Sequence, residues 1–185
     1  MDPQHDLAVL KAMSADLQAY LFSEVLFWQM QAPSSFPRLS LGGLLLTRAR
    51  LLAVSPRLLP AAQTEVAQAN RQIESVFFKW AVAAEKKAAQ ELRSRINLWA
   101  RFLDECEEEG QAGAEGYRHE VSQRVIAALL LSQFPRLADA DEARRLAPLD
   151  AWLRARLKTG GFIWPAEVQA GFPSGEFWFL YGQLR

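Results

Sequence analysis

The amino-acid sequence predicts an all-α protein, a mostly antiparallel bundle of about five helices with one long central helix and an aromatic-rich C-terminal segment. Apolar residues recur at steps of three and four along most of the chain, which is the spacing of one helical face. Residues 61–109 contain neither glycine nor proline. Half of the 185 residues are apolar and 23% are charged, a balance typical of one packed domain, so we predict a single helical domain over residues 1–185.

The first helix is predicted over about residues 6–31. Its apolar face is formed by residues at helical spacing, namely Leu7, Leu10, Met13, Leu17, Leu21, Val25 and Trp28. Two prolines, Pro33 and Pro37, then end it, because proline lacks a backbone donor and disfavours helical geometry in the residue before it.

A second helix is predicted from an N-cap at Ser40 to about Val54, with Ser55 and Pro56 ending it. Gly42 and Gly43 lie in its first turn, where they cost helix stability, so we expect another backbone to approach closely there. Its leucines cover most of the circumference, which indicates a helix surrounded by others.

The long third helix is predicted over about 61–109, a stretch dominated by strong helix formers. Unbroken, it would be roughly 70 Å long, whereas a compact globule of this size is roughly 40 Å across. It therefore has to bend, break or extend to a partner chain. Its apolar residues form two clusters, one from Ile73 to Trp80 and one from Ile96 to Leu103, separated by alanine-rich residues 81–89.

Glycines 110, 113 and 116 predict a turn before a fourth helix, which carries Val121 to Leu130 and ends at Phe134 and Pro135. Pro148 fits the first turn of a short fifth helix that Gly160 and Gly161 end. Seven aromatic residues follow within twenty positions, and they are Phe162, Trp164, Phe172, Phe177, Trp178, Phe179 and Tyr181. We expect this tail either to close the end of the bundle or to leave one edge exposed for docking.

Charge and cysteine content restrict the compartment and the partners. The 21 basic and 21 acidic residues balance, so no overall field favours nucleic acid or an acidic membrane. Cys106 is the sole cysteine, and the N-terminus lacks the basic start and apolar core of a signal peptide. Lys11, Asp16 and Glu24 interrupt the apolar N-terminal stretch, so no membrane span is predicted. We expect a soluble cytoplasmic protein.

Catalytic, cofactor and metal sites are not predicted. His5 and His119 are the two histidines, and neither forms the Glu-x-x-His pair of helical carboxylate-bridged metal proteins. Acidic neighbours of Cys106 oppose thiolate formation, which favours an inert thiol. The sequence therefore leans away from an enzyme.

Basic residues raise a second class of function. Lys86, Lys87, Arg93 and Arg95 on the long helix could contact the phosphates of a nucleic acid. Glutamates 74, 85 and 91 are interleaved with the basic residues at spacings that suit intrahelical pairs, so a solvated face is favoured and nucleic acid is disfavoured.

Arg48 lies on or beside the apolar face of the second helix. A core arginine paired with a carboxylate such as Glu24 is the favoured interpretation, and an anion-binding pocket is the alternative.

The leading hypothesis for function is a non-enzymatic protein-interaction or scaffolding module that binds a protein partner or self-associates. The residues predicted to contact a partner are Trp164, Trp178 and Tyr181. The alternatives are a nucleic-acid-associated protein that uses the basic stretch, and a small-ligand-binding protein or enzyme with a pocket between helices, lined by Arg48 or Tyr117.

Overall fold

A computed structural model describes residues 2–110 and 114–184 and confirms the mostly helical class. The α-helices in this part of the chain are α1 (Pro3–Phe22), α2 (Leu41–Val54), α3 (Pro60–Lys79), α4 (Ala81–Glu109), α5 (Tyr117–Gln133), α6 (Asp141–Arg144) and α7 (Leu146–Arg156). Short 3-10 helices occupy Ser55–Arg57, Pro135–Asp139, Ala166–Gly171 and Trp178–Leu180. Two strands, β1 (Leu157–Phe162) and β2 (Tyr181–Leu184), form a small sheet. The antiparallel bundle as a whole stays a prediction.

Backbone contacts divide the chain into two compact units, Met1–Glu91 and Leu92–Arg185. The boundary between them falls within α4. Each unit buries apolar side chains of its own, so each is described by itself. The single domain predicted over 1–185 stays a prediction.

In the first unit, α1 packs on α2 and α3. The Asp2 side chain caps α1 by accepting hydrogen bonds from the backbone N–H groups of Gln4 and His5. The largest fully buried side chains of this unit come from all three helices and from Leu39, and they are Tyr20, Leu10, Met13, Leu17, Leu39, Leu41, Leu44, Leu51 and Ile73. Their burial supplies the main stabilisation of the unit.

The first helix ends at Phe22, so its predicted extension to residue 31 is wrong. After Phe22 the chain turns back, and the Trp28 indole N–H donates to the Asp16 carboxylate at 3.0 Å. The backbones of Trp28 and Leu39 also exchange hydrogen bonds in an isolated antiparallel bridge. These contacts between residues distant in sequence outweigh the helical periodicity of the apolar residues.

The predicted second helix is confirmed as α2. Ser40 is its N-cap and accepts a hydrogen bond from Gly43 N at 3.1 Å. A side chain at Gly43 would crowd that cap, because its Cβ would lie 3.1 Å from the Ser40 hydroxyl oxygen. The helix ends where Ser55 and Pro56 were expected to end it.

The single long helix predicted over 61–109 is wrong in its continuity, because it is two helices, α3 and α4, separated at Trp80. The backbone of Trp80 has φ −122° and ψ 38°, outside the helical region. Neither glycine nor proline causes this break. It coincides with an aromatic contact, since the Trp80 ring packs edge-on against Phe22 at 4.9 Å.

In the second unit, the predicted fourth helix is α5 and the predicted fifth helix is α7, with Pro148 in its first turn. Gly110 has φ 61° in the turn that precedes α5, and Gly113 lies outside the described residues. The C-terminal aromatic segment contributes heavily to this core. Its Phe172 and Phe179 are fully buried, as is Trp99 of α4.

The two-stranded sheet was not predicted from the sequence. β1 and β2 are antiparallel, with Leu157 opposite Leu184 and an irregularity between Thr159 and Phe162. The strands approach closely at Gly182, where an added Cβ would lie 2.5 Å from the backbone oxygen of Lys158. The paired glycines 160 and 161, expected to end a helix, lie instead within β1.

Candidate interaction surface

The α3–α4 junction combines a helix break with exposed apolar side chains. Phe77, just before the break, is buried at 5% exposure, whereas its neighbour Phe78 is 91% exposed. Val82, in the first turn of α4, is 82% exposed, and Phe22 at the end of α1 is 58% exposed. Trp80 contacts Phe22 and is partly exposed. We call Phe78 and Val82 the junction patch, and Phe22 and Trp80 form a separate contact beside the break.

Large apolar side chains that are both exposed and close to one another are unusual on a protein surface. Isolated apolar side chains are common on protein surfaces, but neighbouring ones mark contact sites. Phe78 and Val82 are such neighbours, because side chains four residues apart along a helical chain lie about one turn apart on the same side. The junction patch therefore has the composition of a docking surface.

A groove of about 500 Å³ includes Phe22 and Lys86 in its lining, and Lys86 lies one helical turn beyond Val82. It lies between the end of α1 and the first half of α4, and its lining residues are Leu21, Phe22, Ser23, Glu24, Ala83, Lys86, Lys87 and Gln90. Glu24 and Lys86 are exposed, so charges of both signs line this groove. An apolar patch beside a polar, charged margin resembles the core and rim of a protein interface.

Lys87 fixes the chain that leaves the end of α1. Its ammonium donates to the backbone oxygens of Ser23 at 2.7 Å and Val25 at 3.0 Å, and it lies 4.9 Å from the centre of the Tyr20 ring. The residue is 4% exposed. Burial, with a smaller effect of Lys86, lowers the pKa of Lys87, and Glu24 partly offsets this. A positive charge at this point compensates the negative end of the α1 dipole.

Glu91 holds the start of α2 in the same way but with the opposite charge. Its carboxylate accepts a hydrogen bond from Gly42 N at 2.8 Å, and the residue is fully buried. A negative charge at a helix N-terminus is stabilised by the free N–H groups and the helix dipole. The solvated face predicted for Glu91 from its helical spacing is wrong.

The residues predicted to contact an anion occupy different surroundings. Lys86 is exposed, whereas Lys87 is buried and donates to carbonyl oxygens. Lys87 is therefore absent from the surface that the nucleic-acid hypothesis requires. Arg93 forms an ion pair with Glu142, and Arg95 donates to the Gln123 side chain at 2.9 Å. Arg48 pairs with Glu74, where Glu24 had been suggested.

The aromatic residues predicted to contact a partner are less available than expected. Trp164 is 7% exposed and its indole N–H donates to the Arg118 backbone oxygen, contrary to the expectation of an exposed edge. Trp178 and Tyr181 are partly exposed and line a groove of about 440 Å³. Arg154 covers the Trp178 ring, with its guanidinium carbon 3.8 Å from the ring centre.

The Cys106 thiol is buried, and burial together with Glu105 and Glu109 raises its pKa to about 11. The direction agrees with the expectation of an inert thiol. Within residues 2–110 and 114–184, no group of three or more His, Cys, Asp or Glu side chains is arranged to hold a metal ion. No described helix is long and apolar enough to span a membrane.

Tyr117, which was predicted to line a pocket between helices, lies in the second unit. A groove of about 580 Å³ includes Tyr117 and Arg118 in its lining, together with residues of both strands. The Tyr117 hydroxyl donates to the Phe179 backbone oxygen. Burial raises the pKa of Tyr117, so this hydroxyl acts as a structural hydrogen-bond donor.

The junction patch was not predicted from the sequence, although one signal could have indicated it. Consecutive residues on a helix point about 100° apart, so Phe77 and Phe78 cannot both face the same core. Val82 lies four residues beyond Phe78. A pair of large apolar residues on the face opposite Phe77 and Ile73 would have predicted an exposed patch.

Comparisons of the chain with protein-family models, with curated proteins and with solved structures find no match.

Proposed function

We propose that this chain is a non-enzymatic protein-interaction module and that the junction patch is its docking surface. The observation that carries the proposal is the exposure of Phe78 at 91% and of Val82 at 82%. Covering a large apolar side chain contributes about 1.5–3 kcal/mol. A partner that buries both side chains therefore gains a substantial share of a micromolar binding free energy, about 8 kcal/mol.

The surroundings of the patch support the same proposal. The groove beside Phe22 supplies charged groups at Glu24 and Lys86, which can set the orientation of a partner. Lys87 and Glu91 hold the ends of α1 and α2 against α4, the helix that carries Val82. A preorganised surface loses less conformational entropy on binding than a mobile one.

The other hypotheses have less support. A nucleic-acid surface would lack Lys87, whose ammonium binds backbone oxygens, and the neutral chain supplies no overall positive field. The groove at Trp178 and Tyr181 is our second proposed contact site for a protein partner. We propose a cytoplasmic location on the basis of the single buried cysteine.

Site-specific photo-cross-linking in the native cell tests the proposal. A photoreactive phenylalanine analogue replaces Phe78 in one strain and Leu59 in a second strain. Leu59 is 77% exposed and precedes the opposite end of α3, about 30 Å away by the helical rise, so it is a matched control. A third strain carries the analogue at Trp178.

We expect discrete cross-linked protein products from position 78 that are absent or much weaker from position 59. Products confined to position 178 would move the docking surface to the second groove. Equal labelling at 78 and 59, or cross-links to nucleic acid from position 78, would contradict the proposal.

A further inference from the structure

We infer that the groove at Trp178 and Tyr181 binds a peptide segment of a protein partner in which an acidic residue lies beside an apolar one. Arg154 is the residue that binds the acidic side chain. This inference rests on the second contact site proposed above and names the chemistry that the site recognises. The groove belongs to the second unit of the chain, whereas the junction patch belongs to the first.

The groove is lined by residue types that dominate the binding energy of protein interfaces. Its lining residues are Arg154, Leu157, Thr159, Ser174, Trp178 and Tyr181. They come from the end of α7, from both strands and from the segment between the strands. Tryptophan, tyrosine and arginine are enriched among the residues whose truncation weakens binding most. Because all of them line one groove of about 440 Å³, a single bound segment can contact them together.

Arg154 is already positioned for an anion. Its guanidinium carbon lies over the Trp178 ring, 3.8 Å from the ring centre. A guanidinium over an aromatic face keeps its N–H groups available at its edges, where a carboxylate accepts two parallel hydrogen bonds. No hydrogen bond or ion pair with another described residue engages the Arg154 side chain. The stacked arginine therefore loses less conformational freedom on binding a carboxylate than an unsupported side chain would.

The charge of the groove has one sign. Of the described residues that line it, Arg154 alone is charged. Thr159 and Ser174 add hydroxyl groups that can donate to a carboxylate oxygen, and no described residue is their hydrogen-bond partner. One guanidinium matches the single negative charge of a carboxylate, whereas a phosphate monoester carries about −1.5 to −2 charges and a nucleic acid requires several cations. These features favour an acidic side chain.

The rest of the groove suits an apolar side chain next to the acidic one. Leu157, Trp178 and Tyr181 are all partly exposed. The Tyr181 ring is fixed, because its hydroxyl donates to the Phe172 backbone oxygen at 2.8 Å and the ring packs against Phe162 at 5.3 Å. Rigid aromatic rings provide contact area at a small cost in conformational entropy. A segment with an acidic residue and an apolar neighbour therefore matches both parts of the groove.

Selection from a library of random peptides displayed on phage tests the inference, with the full-length chain as bait. The same library is selected in parallel on the wild-type chain, on Arg154→Gln, on Arg154→Glu and on Arg118→Gln. Arg118 is the matched control, because it is an exposed arginine that lines a different groove of the same unit. Thermal melting identifies any variant that fails to fold. Thr159→Glu, which places a negative charge in the same groove, then replaces the Arg154 variant.

We expect the wild-type chain to enrich peptides in which Asp or Glu lies beside an apolar residue. These peptides should bind Arg154→Gln at least about tenfold more weakly, because the charged hydrogen bonds are lost. Arg118→Gln should bind them as the wild-type chain does. Arg154→Glu should instead enrich peptides that contain Lys or Arg, since the charge of the groove is reversed. A purely structural role of Arg154 would not reverse the selection.

The outcomes separate this inference from the docking function of the junction patch. Enrichment of the same peptides by the wild-type chain and by Arg154→Gln, or of peptides without acidic residues, would overturn the acidic-peptide site. Absence of any enrichment by the wild-type chain would overturn it too, and cross-linking from position 78 would still test the junction patch. Peptides whose binding is lost in Phe78→Glu but kept in Arg154→Gln would support the junction patch and overturn the site at Arg154.

Discussion

Lys87 and Glu91, one helical turn apart on α4, bind opposite ends of two different helices. The Lys87 ammonium donates to the backbone oxygens of Ser23 and Val25 beyond the C-terminus of α1, and the Glu91 carboxylate accepts from Gly42 N at the N-terminus of α2. Each charge has the sign that the adjacent helix end favours. One turn of α4 therefore fixes the ends of both α1 and α2.

Removing the Glu91 carboxylate should destabilise the first unit strongly. In Glu91→Ala the buried Gly42 N–H loses its acceptor and a cavity remains, so we expect a loss of about 2–4 kcal/mol. Glu91→Gln keeps an acceptor oxygen and should cost less. Urea denaturation measures the free energy of unfolding. The exposed Glu108→Ala serves as the control and should change it by less than about 0.5 kcal/mol. Equal effects of Glu91→Ala and Glu108→Ala would contradict the role given to Glu91.

Replacing Lys87 with methionine tests the other helix end. Methionine keeps most of the buried stem but cannot donate to the Ser23 and Val25 oxygens, so we expect a loss of about 1–3 kcal/mol. The adjacent and exposed Lys86→Met should be within about 0.5 kcal/mol of wild type. Thermal and denaturant unfolding of the two variants provide the comparison. A Lys87→Met chain as stable as Lys86→Met would show that the carbonyl contacts contribute little.

The close approach of the two strands at Gly182 predicts a specific intolerance. In Gly182→Ala the new Cβ would lie 2.5 Å from the Lys158 backbone oxygen, so the strands have to separate, at a cost of at least about 2 kcal/mol. Gly175→Ala is the matched control, since no atom lies within 4 Å of its added Cβ. The melting temperature should fall for the first variant and stay near wild type for the second. A fall of similar size in both variants would argue against the strand contact as the cause.

The environment of Cys106 predicts slow alkylation in the folded chain. Burial and the neighbouring Glu105 and Glu109 raise the thiol pKa to about 11, so the thiolate fraction at pH 8 is lower than that of an exposed cysteine by roughly 100-fold. Iodoacetamide labelling followed by mass spectrometry should therefore be slow at pH 8 and should accelerate as the pH approaches 11 in chain that stays folded. Labelling in denaturant provides the rate of the unprotected thiol. Equal rates in folded and denatured chain would contradict the burial of Cys106.

Features that depend on interactions within one helical turn were predictable from the sequence, whereas features that depend on tertiary contacts were not. Ser40 and the end of α2 at Ser55 and Pro56 were predictable because capping and proline effects act within one turn. The end of α1 at Phe22 was not, since it depends on the bond from Trp28 to Asp16 and on the bridge to Leu39. Tertiary contacts of this kind override an apolar period that continues for another two turns.

The candidate site shows the same difference between what short-range effects and what tertiary contacts determine. The sequence indicated that the helix predicted over 61–109 could not remain straight within a compact globule, yet the position of the break at Trp80 depends on tertiary structure, where Trp80 meets Phe22. Glu91 was assigned to solvent because its spacing suits intrahelical pairs, and its burial depends on the N-terminus of α2 lying against it.

Cross-linking from position 78 in the native cell, compared with position 59, tests the central claim most directly. If the junction patch is the docking surface, position 78 yields discrete protein products severalfold above those from position 59, although both positions are highly exposed. Products of twice the chain's own mass would identify a second copy of the chain as the partner. Equal yields at the two positions would contradict the account.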